Sequence, residues 1–341
     1  MKVKMPTIKD VATLSGVSIS TVSIVLNSKP EERKVAPQTY EKVTNAITIL
    51  GYQPNMAARR LRSSESNKPT ISLYWPLDYR ASFLVNILIG IREETKRLNY
   101  DCDIVVSAYE NDKLSAESGI LSKNKFSAAI IGGTSYKDME YLENIKPQMP
   151  IILFNRNSDK YFTVCNDNDD AAYKAAKLFA VKGHKRAAII TVETPFLAMN
   201  IRTKSFISAC KELDIEIEDI FIIKSENSYE GGVLAAKKFL TLENRPHALF
   251  CDSDFLALGA AHIFNKEGTH IPEDLEIIAI GMLSPDTTAY STPPITVVSL
   301  PSKKMAADCM NIIYNILKNN ITEPVHKVHE SKLLFRDSCR P

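Results

Sequence analysis

Ser18-Ile19-Ser20-Thr21-Val22-Ser23-Ile24-Val25-Leu26-Asn27, residues 18–27, decides how this chain begins to fold. At about 100° of helical turn per residue, Val22, Val25 and Leu26 cluster on one side. Ile19, Ser20, Ser23, Ile24 and Asn27 spread over the opposite arc. The buried face is complete without Ile24, so this isoleucine points outward. Ser18 can cap the helix, with Thr21 in its first turn.

Working outward, Thr7 can cap a preceding helix whose third residue is Asp10, with Val11 and Leu14 as its apolar stripe. Gly16 ends that helix and Val17 fills the turn. Two short helices joined by a tight glycine-containing turn make a helix-turn-helix. A third helix follows from Pro37, at a first-turn position, to Leu50, and Gly51 stops it.

Charge gives the outward arc a partner. Residues 1–62 hold ten Lys and Arg against four acids, a net +6 that leaves −4 for the rest of a chain totalling +2. A small basic head on a mildly acidic body points to a polyanion for the head alone. Two outward isoleucines are a liability in a free-standing helical domain, but against base edges they form a reading surface. Next comes Gly51-Tyr52-Gln53-Pro54-Asn55-Met56-Ala57-Ala58-Arg59-Arg60-Leu61-Arg62. Pro54 breaks the chain, Asn55 can cap, and one or two helical turns carry three arginines around Leu61. So short a helix is not stable alone in water and is ordered by a partner. Residues 63–69 read as a flexible linker.

The rest of the composition sets limits. With 45% hydrophobic and 24% charged residues, 341 residues have ample apolar content for large cores in two or three domains. The six cysteines are scattered, without a Cys-x-x-Cys pair or clustered histidine, and read as reduced thiols rather than a zinc site. No metal and no cofactor is expected. There is no apolar run of about 18 residues, hence no membrane span, and MKVKMPTIKDVA lacks the apolar core of a signal peptide. The expected location is cytoplasmic.

These residues resemble the LacI/GalR family of bacterial transcription regulators. The resemblance is carried by "TIKDVATLSGVSISTVSIVLN", "YEKVTNAITILGYQPNMAARRLR", "TPPITVVSLP" and "FRDSC", and runs over essentially the whole chain. It implies a repressor acting as a homodimer on double-stranded, pseudo-palindromic operator DNA. Each second helix would lie in a major groove, and paired hinge helices would enter the minor groove. Ile19, Ser20 and Ile24 would face bases. Thr7, Ser18, Thr21, Ser23 and Asn27 would supply phosphate donors. In the hinge, opened by Asn55, Leu61 would be the wedge that unstacks the central base step; the alternative is an apolar residue covering the linker. Arg59, Arg60 and Arg62 would hold phosphates or the narrowed groove.

Two departures from the family pattern bear on DNA. Ile24 stands where the family commonly carries Arg or another polar reader, so the bidentate guanine contact is lost and only a thymine methyl remains to touch. The 28–35 loop is about three residues longer than usual, and Ala36 replaces the customary hydroxyl cap of the third helix.

The body, 70–341, alternates β-rich runs with helices. Strands are read at 71–75, 103–107, 128–131, 151–154 and 163–164, then at 187–192, 220–224, 248–251 and 277–281. Helices are read at 84–98, 170–182, 202–213, 229–242 and 255–266. Such alternation argues parallel sheets covered by helices. The resulting fold class is α plus α/β: a helix-turn-helix headpiece with a hinge helix, then, by the resemblance, two Rossmann-like subdomains of periplasmic-binding-protein type. The divisions are 1–62 for headpiece and hinge, 63–69 for the linker, and 70–341 for the effector and dimerisation body. Within the body, 70–160 and 292–326 form one subdomain, and 161–291 and 327–341 the other, with crossings near 160, 291 and 326.

Ligands in such folds sit at the carboxyl ends of the strands. "YWPLDYRASF" places Trp75, Tyr79, Arg80 and Phe83 where the first strand exits. The aromatics could stack on a sugar or base ring, or Trp75 could simply pack. By resemblance, Asp167, Arg202 and Asp254 lie in or beside the effector pocket. Arg202 can fork onto a hydroxyl pair or carboxylate, or form an ion pair with Asp167 or Asp252. Ser253 stands for the usual Asn, Asn227 for a common aromatic platform, and Met282 for the Asp that holds ligand hydroxyls. These three departures leave open a less polar pocket, an unusual sugar derivative or no small effector at all; the expected effector is a carbohydrate or a derivative of one.

Other classes fit less well. A periplasmic solute-binding protein would share the body but needs a secretory signal and has no use for a basic head. An enzyme would need a phosphate loop or nucleophile motif, and none of G-x-G-x-x-G, G-x-x-x-x-G-K-[ST] or G-x-S-x-G occurs. The chain stops at "RDSCRP" without a leucine heptad, so a dimer rather than a tetramer is expected.

Overall fold

A computed structural model of the protein describes residues 7–27, 35–50, 68–117, 119–121, 125–193 and 197–341. The chain divides into two units, Met1–Lys68 and Pro69–Pro341.

In the first unit, α1 (Ile8–Ser15), α2 (Ile19–Asn27) and α3 (Pro37–Leu50) form a small bundle. Thr7 opens α1: its N–H and hydroxyl both donate to Asp10 Oδ2 at 2.7 Å. Gly16, at φ +68°, closes α1 in the left-handed conformation that glycine tolerates best. Ser18 Oγ accepts the Thr21 N–H at 3.1 Å and so caps α2. The axes of α1 and α2 turn through 106°, inside the helix-turn-helix range. Val11, Ala12, Val22, Val25, Val43 and Ala46 are the core, with Leu26 packed against it. One expectation needs correcting. Leu14 is half exposed, and it is Ala12 and Ser15 that join Val11 on the buried face. Both other helices pack on α1, so the stripe lies at 8, 11, 12 and 15.

The second unit contains two six-stranded sheets. The strands are β1 (Thr70–Pro76), β2 (Asp103–Tyr109), β3 (Ala128–Gly132), β4 (Ile151–Phe154), β5 (Phe162–Asn166), β6 (Ala188–Val192), β7 (Ile222–Ser225), β8 (Ala248–Cys251), β9 (Glu276–Gly281), β10 (Thr296–Ser299), β11 (His326–His329) and β12 (Lys332–Leu334). The first sheet runs β11-β5-β4-β3-β1-β2, and all its pairs are parallel. The second runs β12-β10-β9-β8-β6-β7, parallel except for the antiparallel edge pair β10–β12. Helices α4 (Leu84–Arg97), α5 (Tyr136–Asn144), α6 (Asn168–Val181), α7 (Leu197–Glu212), α8 (Tyr229–Leu240), α9 (Asp254–Lys266), the short α10 (Pro285–Ala289) and α11 (Ser302–Asn319) connect them. Central strands such as β1 and β3 are buried on both faces, as parallel sheets require.

Sheet membership moves the expected lobe crossings near 160, 291 and 326. β5 pairs with β4, β10 with β9, and β11 with β5. The chain therefore crosses after β5, after β10 and after β11, about six, eight and three residues later than read. The physical reason is common to all three: each crossing follows a completed strand at its carboxyl end, whereas the reading cut before the strand. Residues 162–166 and 326–329 thus belong with the first sheet, and 296–299 with the second.

No single helix among the described residues is long and apolar enough to cross a membrane.

Candidate functional site

The headpiece presents α2 as the sequence implies. Val22 and Val25 are buried, while Ile19 and Ile24 are 38% and 42% exposed and Ser20 is exposed. Ser18 and Thr7 are exposed and Thr21 and Ser23 half-buried, with the Ser18 and Thr21 hydroxyls 2.8 Å apart. Asn27 ends α2; its side chain lies outside the described residues, as do Asn55, Arg59, Arg60 and Leu61.

In the body, one cleft encloses about 50 Å³ that a water molecule can reach, within about 530 Å³ of space once the open mouth is counted. Strand exits build its walls. Trp75, near the end of β1, is buried and donates its indole N–H to the Arg80 carbonyl at 2.8 Å. Its ring meets Phe154 edge-on at 5.7 Å. Trp75 therefore lines the cleft and also packs, which joins the two readings rather than choosing one. Phe83 lines the cleft too, at the end of the turn Tyr79–Phe83; the side chain of Tyr79 lies outside the described residues.

Arg202 crosses from the second lobe. It sits inside α7 rather than opening it, since α7 begins at Leu197. It is 1% exposed, lines the cleft, and points Nη2 at the Met282 sulfur 3.8 Å away. Asp252 lies behind it. Its Oδ2 accepts from the hydroxyls of Thr191 and Thr203, while burial pushes its pKa up and the Arg202 charge pulls it back.

Four predicted effector residues do not line this cleft. Asp167 caps α6 by accepting the Asp170 N–H at 2.9 Å, and its own N–H is tied to the His329 carbonyl where the chain crosses lobes. Ser253 Oγ caps α9 through the Phe255 N–H. Asp254 Oδ2 accepts the backbone N–H groups of Met282 and Leu283, at 2.9 and 2.8 Å, and burial lifts its pKa to about 6. Asp254 therefore fixes Met282, which does line the cleft. Asn227, between β7 and α8, is 5% exposed, and neither side-chain amide atom has a hydrogen-bond partner. Short polar side chains beside helix N-termini are drawn to the free backbone N–H groups there, which explains why Asp167 and Ser253 became caps.

The structure brings in Arg80, expected at the exit of the first strand, and adds Arg156, Asn155, Leu300, Ser302 and Met305, which the sequence does not single out. Arg80, 3% exposed, is gripped by Asp78 and donates to the Gly133 carbonyl and to Asn111 Oδ1. Arg156, also 3% exposed, follows β4 and donates to the carbonyls of Thr134 and Asn155. Burial pushes the Arg156 pKa down to about 10, and the charges of Arg80 and Arg202 act in the same direction. Asn155, at φ +55°, turns the chain to aim Arg156 inward. Ser302 and Met305, from the start of α11, and Leu300 close the wall.

A helix-turn-helix unit, joined to a body of two strand-helix lobes with a cleft between them, defines a ligand-responsive DNA-binding protein. Comparison with known proteins agrees. Residues 7–55 match the model of bacterial regulatory proteins of the lacI family, and 176–339 that of a periplasmic binding protein-like domain. A LacI family transcription regulator from Clostridium acetobutylicum is 42% identical in sequence, with a TM-score of 0.76 over 79% of this chain and 100% of that one. A PurR repressor from Mannheimia succiniciproducens is 26% identical over 98% of this chain and 99% of its own. The transcriptional regulator CelR, solved with cellobiose, is 22% identical with a TM-score of 0.70, covers 98% of this chain and 99% of its own, and speaks for the fold. The chain belongs to the LacI family. It is a ligand-controlled, DNA-binding transcriptional regulator, not a solute-binding protein.

Proposed function

We propose that the protein is a cytoplasmic, non-enzymatic repressor that binds a pseudo-palindromic operator as a homodimer and is switched by a small molecule in the cleft. The observation that carries it is α2: Val22 and Val25 take the core while Ile19, Ser20 and Ile24 stay presented to a partner. A basic head of net +6 supplies the phosphate attraction. Support for the homodimer comes from α4 and β2. Val85, Leu88 and Ile89 are exposed on the helix, and Val105 and Val106 on the edge strand beside it. Apolar surface of this kind favours cover by a second copy. Asn55, Arg59, Arg60 and Leu61 are proposed to form the minor-groove hinge. Effector control is proposed to run from cleft closure to that hinge.

For the effector, Trp75, Phe83, Arg202 and Met282 are proposed as contacts, with Asp254 positioning Met282. Asp167 and Ser253 are assigned to capping. A carbohydrate or carbohydrate derivative is the reading that kinship supports, since CelR is solved with cellobiose.

Selection of bound sequences from a random DNA pool tests the proposal. Two related half-sites in inverted repeat are expected, with affinity falling by about 10³–10⁵ between 50 and 200 mM salt if roughly six to ten phosphates are neutralised. No enrichment, or a flat salt response, would sink it.

A further inference from the structure

We infer that the cleft is built for an organic anion with an apolar or planar body, rather than for a neutral polyol. The inference rests on the reading above that this cleft holds the effector. Its first ground is the charge on the wall. Arg80, Arg156 and Arg202, all 3% exposed or less, line one cleft, and no Asp or Glu does so among the described residues. The nearby carboxylates stand behind the arginines: Asp78 grips Arg80 from a side chain 35% exposed to solvent, and Asp252 is coupled to Arg202 from full burial.

The second ground is the balance of donors and acceptors. Guanidinium groups only donate, whereas sugar hydroxyls need acceptors as well as donors. The other polar side chains on the wall are Asn155 and Ser302, and at Met282 a thioether, a weak acceptor, faces Arg202. Arg80 is committed to Asp78, Gly133 and Asn111, but a guanidinium carries five N–H groups. The remaining wall of Arg156 and Arg202 is complementary to phosphate or carboxylate oxygens, which guanidinium holds through charge-assisted bonds.

Burial supplies the third ground. Burial and the charges of Arg80 and Arg202 all oppose the charge on Arg156, and an anion in the cleft offsets part of that cost where a neutral ligand cannot. Ser302 also begins an 18-residue helix whose N-terminus adds positive potential to the same wall. The rest of the lining, including Trp75, Phe83, Phe154 and Met305, offers apolar surface for the body of the ligand.

The test uses the full-length protein at constant ionic strength with phenyl phosphate, benzoate, glucose 6-phosphate and glucose as probes. The chain has a single Trp, so its emission reports on Trp75. The expected result is that an anionic probe raises the melting temperature and quenches this emission while glucose does neither. The phosphate and carboxylate arms then show which anion the arginines prefer. In Arg156→Gln the anion affinity should fall at least about tenfold. The probe ranking on unmodified protein decides the matter even if that variant fails to fold. Glucose binding as tightly as glucose 6-phosphate, or no response to any anion, overturns the inference. An anion that binds and quenches but leaves operator affinity unchanged supports the anion site and overturns the effector reading alone.

Discussion

Arg202 Nη2 lies 3.8 Å from the Met282 sulfur, and the Met282 backbone N–H is bonded to Asp254. The side chain facing the guanidinium is thus fixed from behind and contributes almost no acceptor. Met282→Asp would put a carboxylate beside Arg202 without disturbing that backbone bond. Affinity for an anionic probe should fall by about tenfold or more, and binding of neutral polyols should rise. Calorimetric titration of both proteins with benzoate and glucose checks this, and an unchanged ranking would show that Met282 does not set the ligand's charge.

Gly132 gives the Trp75 ring its place. A Cβ there would stand 2.3 Å from Trp75 Cζ3 and 2.8 Å from Cε3. The indole cannot slide easily, because its N–H is bonded to the Arg80 carbonyl. Gly132→Ala should therefore cost about 1–3 kcal/mol and expose the ring to water. A lower melting temperature with red-shifted emission is expected; the same melt and spectrum would mean the ring has room to spare.

Asp254 sets a pH dependence whose sign can be worked out. Its pKa is raised by burial from 3.8 to about 6, so between those values the folded protein holds a proton that the unfolded chain releases. Its contribution to stability is fully present below about pH 4 and is lost as pH rises through 6. The difference is on the order of 2–3 kcal/mol. Asp254→Asn keeps an acceptor for Met282 and Leu283 but cannot titrate, so its melting temperature should gain on the natural protein as pH rises from 4 to 7. Parallel melting curves across that range would show the carboxylate is not held in this way.

Much of the fold was legible. Val-, Ile- and Leu-rich runs marked β1, β3, β4 and β8 to within a residue or so, because strands buried on both faces must be apolar throughout. β11 escaped because His326-Lys327-Val328-His329 forms an edge strand with alternating exposure and carries no apolar run. β12 is three residues long. α11 went unassigned although Met305, Cys309, Ile312 and Ile313 fall at helical spacing. At the cleft, Trp75, Phe83, Arg202 and Met282 were found from strand exits and family kinship. Arg156 had the same signal, a position just past β4, but only the folded chain brings it beside Arg80 and Arg202.

Ile24 carries the sharpest prediction, because burial and chemistry are decoupled there. It is 42% exposed, while Val22 at 0% and Val25 at 5% hold α2 to the core. Ile24→Ala should cost little stability, since truncation leaves no cavity, and should relax a thymine preference that depends on methyl contact. Ile24→Arg adds a forked donor to the same exposed arc. It should shift the preferred base at the matching half-site position toward guanine, with discrimination of about 1–3 kcal/mol, roughly 5- to 150-fold. Binding-site selections on the natural protein and both variants, with thermal melts of each, measure the two effects separately. An arginine variant that melts normally but selects an unchanged motif would mean that position 24 itself does not reach the bases and that Ser20 or Ile19, elsewhere on the same arc, does the reading.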